Sequence, residues 1–165
     1  MEIRIRKAEK RDAGALARLL KQVGAVHGEG RPDIYERRPS KYDEKAALEL
    51  VGSGVGILVA EEGGEIRGEL IYKIMNREGD GFYRPRKWLY IDDLCVDEGA
   101  RGRGIAHALE AEAERIAAAE GCDAVELNCW AFNTRATAFY ESAGFTRQKS
   151  QYEKILKKIN GGYTK

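Results

Sequence analysis

The residues best suited to chemistry lie between positions 87 and 145. Arg101-Gly102-Arg103-Gly104-Ile105-Ala106 stands between an apolar run ending at Val96 and an alanine-rich segment. In that segment Ile105, Ala108, Leu109, Ala113, Ile116 and Ala117 fall at helical spacing. The first turn of a helix has amides without intrahelical partners, and the dipole leaves partial positive charge there. Glycines let a bulky anion approach that backbone and permit positive φ, while Arg101 and Arg103 carry charge suited to phosphate oxygens. The pattern describes a pyrophosphate cradle at a helix N-terminus. Just before it, Asp92 and Asp93 interrupt the strand-like run KWLYIDDLCV. A carboxylate in an apolar strand is costly to bury without a partner, so two adjacent ones stand out. Strict alternation puts Tyr90, Asp92 and Leu94 on one face and Leu89, Ile91, Asp93 and Cys95 on the other. Further on, Tyr140 follows Asn133 by about two helical turns, so the two share a helix face.

These groups need a scaffold, and the chain reads as one domain over 1–165. Residues 2–6 alternate as a strand, which argues against a signal segment, and 9–24 carry apolar residues at helical spacing with Glu9 and Asp12 near the start. Asp43 reads as the cap of a short helix. Strands at 55–61 and 65–75 are split by Gly63-Gly64, a hairpin signal. A strand at 87–96, a helix at 103–120, a strand at 123–129, a helix at 134–142 and a final strand around 145–156 complete the order. Helices alternate with strands and hairpins also occur, so a mixed sheet in an α/β domain is expected.

Composition limits the partners. Lys and Arg number 28 against 27 Asp and Glu, for a formal charge of +1, which does not give the basic excess of a nucleic-acid binder. No apolar run approaches the length of a membrane span. Cys95, Cys122 and Cys129 form no C-x-x-C pair, and His27 and His107 are far apart, so no metal set is expected. The thiols sit in apolar stretches and read as structural, in a reducing, cytoplasmic setting.

Three kinds of anion-binding motif compete for the cradle. A P-loop requires Lys-Ser or Lys-Thr after its glycines, which is absent here. A dinucleotide fingerprint requires a third glycine where His107 stands. Arg101-x-x-Gly104-x-Ala106 instead resembles the acetyl-CoA signature of the GNAT superfamily of N-acetyltransferases, [Q/R]-x-x-G-x-[G/A]. The run LNCWAFNTRATAFYESAGFTRQ resembles that family's second signature, through Asn133, Ala138, Phe139, Tyr140, Gly144 and Phe145.

The resemblance implies a GNAT-like fold: a partly splayed central sheet of about 6–7 strands flanked by about four helices. It implies acetyl-CoA as co-substrate, without a metal. The pantetheine arm would pair with the backbone of Leu94, Cys95 and Val96, and the diphosphate would sit on the amides of Arg101, Gly102, Arg103, Gly104, Ile105 and Ala106. Tyr140 would be the general acid, and Asn133 would orient the cofactor arm. For the base, Asp92 is the first choice and Asp93 the second. Asn128, where some relatives carry a carboxylate, cannot accept a proton in that way. The acceptor would be an amine of a small molecule or a peptide. His27, Glu29, Asp33, Ile34 and Tyr35 would line its mouth on one side, Phe82 and Tyr83 on the other, with Glu69 adding negative charge. Family members often pair through C-terminal strands, which implies a homodimer. A non-catalytic acyl-CoA sensor of the same fold is the competing function.

Overall fold

The computed structural model describes residues 2–36 and 43–156. Contacts divide the chain into two compact units, Met1–Val23 with Ser40–Asn128, and Gly24–Pro39 with Cys129–Lys165.

The first unit is a five-stranded sheet in the order β1-β2-β3-β4-β5. Its strands are β1 (Ile3–Lys7), β2 (Gly56–Glu62), β3 (Glu65–Arg77), β4 (Arg86–Val96) and β5 (Ala124–Leu127). All neighbours are antiparallel except β4 and β5, which run parallel through the crossover helix α3 (Ile105–Ala119). Helices α1 (Ala13–Gly30) and α2 (Glu44–Gly52) lie between β1 and β2 in sequence. Gly63 and Gly64 make the β2–β3 turn with φ of 62° and 82°, the geometry that matches strand twist in a two-residue hairpin. Asp43 caps α2 by accepting from the Ala46 amide at 2.8 Å. At the start of α1, Asp12 is buried, accepts from the Glu9 amide and is gripped at 2.7 and 2.9 Å by Arg6, which holds its carboxyl below the usual range.

One sheet face, with Ile57, Val59, Ile71 and Cys95, packs on Ala13, Leu16, Leu19 and Leu20 of α1 and Ala47 of α2. The other lies toward α3, where a Cβ on Gly68 would meet the Ile105 side chain at 2.9 Å. Three expectations need correction. First, α1 runs to Gly30 and not 24, because Gly24 and Gly28 are buried and continue the helix. Second, no strand forms at 145–156, so the sheet has five strands and not 6–7. Tyr152, Ile155 and Leu156 there are exposed, and that stretch belongs to no ladder of the sheet. Third, a bulge breaks the alternation of β4. Ile71 faces Asp93 but Tyr72 faces Ile91, leaving Asp92 as the extra residue. Leu89 and Ile91 therefore share the α3 side with Leu94, and Asp93 and Cys95 share the α1 side with Tyr90.

Candidate cofactor cradle and carboxylate cluster

β4 and β5 pair only from Trp88 with Ala124 to Ile91 with Leu127. Beyond Ile91, β4 continues to Val96 with no strand among the described residues on that edge, so Leu94, Cys95 and Val96 lie along an open margin. The cradle follows. Asp97 anchors it: its amide donates to the Arg67 carbonyl at 2.8 Å, and its carboxylate accepts from Gly99 and pairs with Arg18 of α1. These partners hold the Asp97 carboxyl low against the opposing effect of burial. The Glu98 amide donates to Gln22 of α1 at 3.3 Å. After the short turn Glu98–Ala100, Gly102 and Gly104 adopt φ of 78° and 82°, and Gly104 opens α3 with no side-chain cap.

No atom of the described residues lies within 4 Å of a Cβ built on Gly99, Gly102 or Gly104, so open space faces these glycines. Their conformation, and not packing, calls for glycine at 102 and 104. The first-turn amides of Ile105 and Ala106 meet no capping side chain and point along the helix axis. Arg101 and Arg103 brace the loop from within: Arg101 Nε donates to the Val96 carbonyl at 3.2 Å, and Arg103 bridges Glu62 and the Gly99 carbonyl at 3.0 Å each. A diphosphate fits this donor set: two guanidinium groups, uncapped amides and room above them.

The carboxylates divide by environment. Asp92, at the bulge, is half-exposed and accepts from Lys73 Nζ at 2.9 Å. Asp93 is partly buried, and burial together with the neighbouring Asp92 charge pushes its carboxyl up to about 7, although the Leu94 amide opposes the shift. Glu69 is fully enclosed, with no hydrogen-bond partner on either oxygen. Burial, then the Asp93 charge, drives its carboxyl well above the usual range. Cys95, directly across the ladder from Glu69, donates to the Leu19 carbonyl at 3.6 Å, and burial pushes its thiol up, so it is a packing residue and not a nucleophile. Asn128 donates to the Tyr90 hydroxyl at 2.9 Å. Tyr83 is half-exposed under the Arg77 guanidinium, in the loop where β4 begins. The length of β4, about 33 Å at ~3.3 Å per residue, separates it from the cradle.

The second unit carries α4 (Thr134–Ser142). Asn133 caps it by accepting from the Ala136 amide at 3.1 Å, and Tyr140 stacks edge-on between Phe139 and Phe145 at 5.2 and 5.6 Å. The same unit holds the end of α1 and the turn after it. His27 lies 5.0 Å from the ring of Tyr35, and burial lowers its basicity. Tyr35 in turn accepts from Trp130 Nε1 at 3.2 Å. Arg31 lies over Trp130 at 5.1 Å and pairs with Asp33 and Glu153. Glu29 is exposed. The Arg31–Trp130 packing was not signalled by spacing, because its members lie about 100 residues apart. Cys129 is exposed, contrary to the buried thiol expected for an apolar run, with Sγ 3.6 Å from Thr137 Oγ1. Among the described residues no group of three His, Cys, Asp or Glu is arranged to hold a metal ion, and no helix is long and apolar enough to cross a membrane.

Comparison with known proteins yields one family model, described as "Acetyltransferase (GNAT) family", which matches residues 20–145. Blasticidin-S acetyltransferase from Streptomyces morookaense is 30% identical over 127 residues, covering 76% of this chain and 82% of that protein. Mycothiol acetyltransferase from Beutenbergia cavernae is 40% identical over 81 residues, 44% of this chain but only 27% of that protein, so the match spans about a quarter of that relative. Among solved structures, a mutant of the BH1408 protein from Bacillus halodurans superposes with a TM-score of 0.87 at 32% identity, covering 93% of this chain and 99% of that one.

Proposed function

The chain belongs to the GNAT acetyltransferase family, and from that premise we propose that it moves the acetyl group of acetyl-CoA to a primary amine of a small molecule or peptide by direct attack. The two units act as one transferase domain. One observation carries the reading: two left-handed glycines, 102 and 104, turn the uncapped amides of α3 toward open space beside the unpaired end of β4.

Gly102, Arg103, Gly104, Ile105 and Ala106 hold the diphosphate through their amides, with Arg101 and Arg103 supplying positive charge. Leu94, Cys95 and Val96 offer backbone groups to the pantetheine arm along the open margin of β4. When bound, acetyl-CoA supplies an activated thioester: the amine nitrogen bonds to the acetyl carbon and the sulfur departs with the bonding pair. An aliphatic amine is almost wholly protonated at neutral pH, so its proton must leave before attack. Asp93 takes that proton. Its carboxyl titrates near 7, which suits a base working at neutral pH, whereas Asp92 is tied to Lys73 at the bulge. Asp92 faces solvent and adds negative charge for a cationic acceptor, as do Glu29 and the aromatic surface of His27 and Tyr35 for the amine's apolar body. The Tyr140 hydroxyl gives a proton to the departing sulfur and regains one, through solvent, from the second proton that the acylated nitrogen loses; Asn133 steadies the arm from the start of α4. The similarity to a blasticidin-S acetyltransferase over 76% of this chain supports acetyl transfer to a small molecule.

A thiol-release assay over a panel of amines tests the reading. Turnover in the wild type and at least tenfold slower turnover in Tyr140→Phe, with CoA binding intact, is the expected result. CoA binding with no turnover on any amine would make the protein a sensor.

A further inference from the structure

Glu69 has no place in the proposed chemistry, yet it occupies an unusual position. It is 0% exposed, and neither carboxylate oxygen has a hydrogen-bond partner. An isolated ionised carboxylate in such a place is strongly disfavoured, and among the described residues no cation pairs with it. Across β4 it faces Cys95, whose thiol is committed to the Leu19 carbonyl, and across β2 it faces Val59. The α1 residues over this face are Leu16, Leu19 and Leu20. Arginines on adjoining segments are engaged elsewhere: Arg18 of α1 with Asp97 and the Ile66 carbonyl, Arg101 with the Val96 carbonyl and Glu98. The charged residues nearest to Cys95 along the chain, Asp92 and Asp93 on β4 and Asp97 just after it, are acidic. The Cys95 backbone amide is the group that favours its anion.

Asp93 shares the sheet face. Glu69 pairs with Cys95 and Ile71 with Asp93, so the two carboxyls are diagonal neighbours on adjacent strands. Such pairs lie about 7–8 Å apart at the backbone, within reach of a glutamate side chain. The unbroken register from Asp93 to Val96 sets this neighbourhood, and the bulge at Asp92 changes only the faces of the β4 residues before it. A leucine would fill the site as well as its neighbours do, so a carboxyl there calls for a reason beyond packing.

We propose that Glu69 is a positioning residue for the base: it stays protonated throughout the cycle, and its neutral carboxyl dipole stabilises the Asp93 carboxylate that receives the acceptor's proton. The inference rests on Asp93 acting as base. Proton flow balances simply: the ammonium gives one proton to Asp93, Asp93 later releases it to solvent, and Glu69 keeps its own throughout. Two carboxyls this close titrate as a coupled unit, one member holding a proton while the other is ionised.

Carbon-13 NMR of the Asp93 carboxyl across pH, in the resting protein, is the test, together with the pH dependence of kcat/KM. Glu69→Gln keeps a neutral polar group that can donate, and the Asp93 midpoint should stay within about 0.3 units of wild type. Glu69→Leu removes the dipole, and that midpoint should rise by about one unit. At pH 7 the Leu variant would then turn over about fivefold more slowly while Tm holds or rises. A rise in Tm with no movement of Asp93 would make Glu69 a packing residue and overturn the proposal. A downward movement in either variant would also overturn it, because Glu69 would then be ionised and repelling Asp93. Should Asp93 move in the NMR titration while the kcat/KM limb stays fixed, the coupling stands and the base assignment fails, which separates the two claims.

Discussion

Gly104→Ala isolates the contribution of the cradle's backbone geometry. Gly104 sits at φ of 82° with no atom within 4 Å of the site of a Cβ. The methyl group therefore meets no steric obstacle, and the whole cost is conformational. A left-handed L-residue costs about 1–2 kcal/mol. That energy has two outlets. If the loop keeps its shape, the fold loses about 1–2 kcal/mol, and Tm falls by about 2–8 °C for a chain of this size. If the loop relaxes, the amides of Ile105 and Ala106 turn from the diphosphate and the Kd for CoA rises, by about fivefold to thirtyfold at the limit. Two controls fix the interpretation. Gly54→Ala has the same φ, 84°, and the same empty surroundings, but lies between α2 and β2 at the far end of the sheet, so it should lower Tm and leave CoA affinity alone. Gly99→Ala has open space and no positive φ, so both quantities should hold. Calorimetric titration with CoA and thermal denaturation read both outlets. If Gly104→Ala keeps both its Tm and its CoA affinity, the left-handed cost has no outlet and the reasoning fails; if Gly54→Ala weakens CoA binding as much as Gly104→Ala does, the effect is not one of cradle geometry.

Other substitutions probe separate links. In the wild type kcat/KM should rise as pH passes about 7, because Asp93 accepts a proton only once ionised; Asp93→Asn should remove that limb and slow turnover at least tenfold at pH 8. Glu110 on α3 is buried with one oxygen unpartnered, and burial with Glu114 beside it pushes its carboxyl up to about 7. A raised folded-state value means stability that is present below the unfolded value and lost as pH rises through 7. Glu110→Gln should therefore match wild-type Tm at pH 4.5 and exceed it at pH 8; an equal difference at both would refute the ionisation argument. Gly30→Ala should lower Tm by several degrees, since its Cβ would lie 2.1 Å from the Phe132 ring, and overpacking of that kind costs about 1–3 kcal/mol.

Much of this was legible in the sequence. The glycine-bearing turn at Arg101–Ala106 opens a helix without a side-chain cap, as its residue types led one to expect, and Asp43 and Gly63-Gly64 acted as cap and hairpin. The carboxylates were found but their faces were not. Period-2 alternation fails at a bulge, and the extra residue at Asp92 exchanges the side of every β4 residue before it. The isolation of Glu69 was hidden for a related reason: a single acidic residue in EIRGELIYKIM reads as an exposed position, and only the register shows it beneath α1. The end of α1 was misjudged because Gly24, Gly28 and Gly30 look like helix breakers, yet Gly30 gives room to the Phe132 ring. An extended look at 145–156 produced no strand, since alternation cannot say whether a partner edge exists.

The most direct measurement is an amide-resolved NMR titration of the folded protein with CoA. If a diphosphate rests on the start of α3, the largest shifts fall on Gly102, Arg103, Gly104, Ile105 and Ala106, while Gly54 and Gly64 stay still. No shift in that segment at millimolar CoA, or maxima elsewhere in the chain, would contradict it.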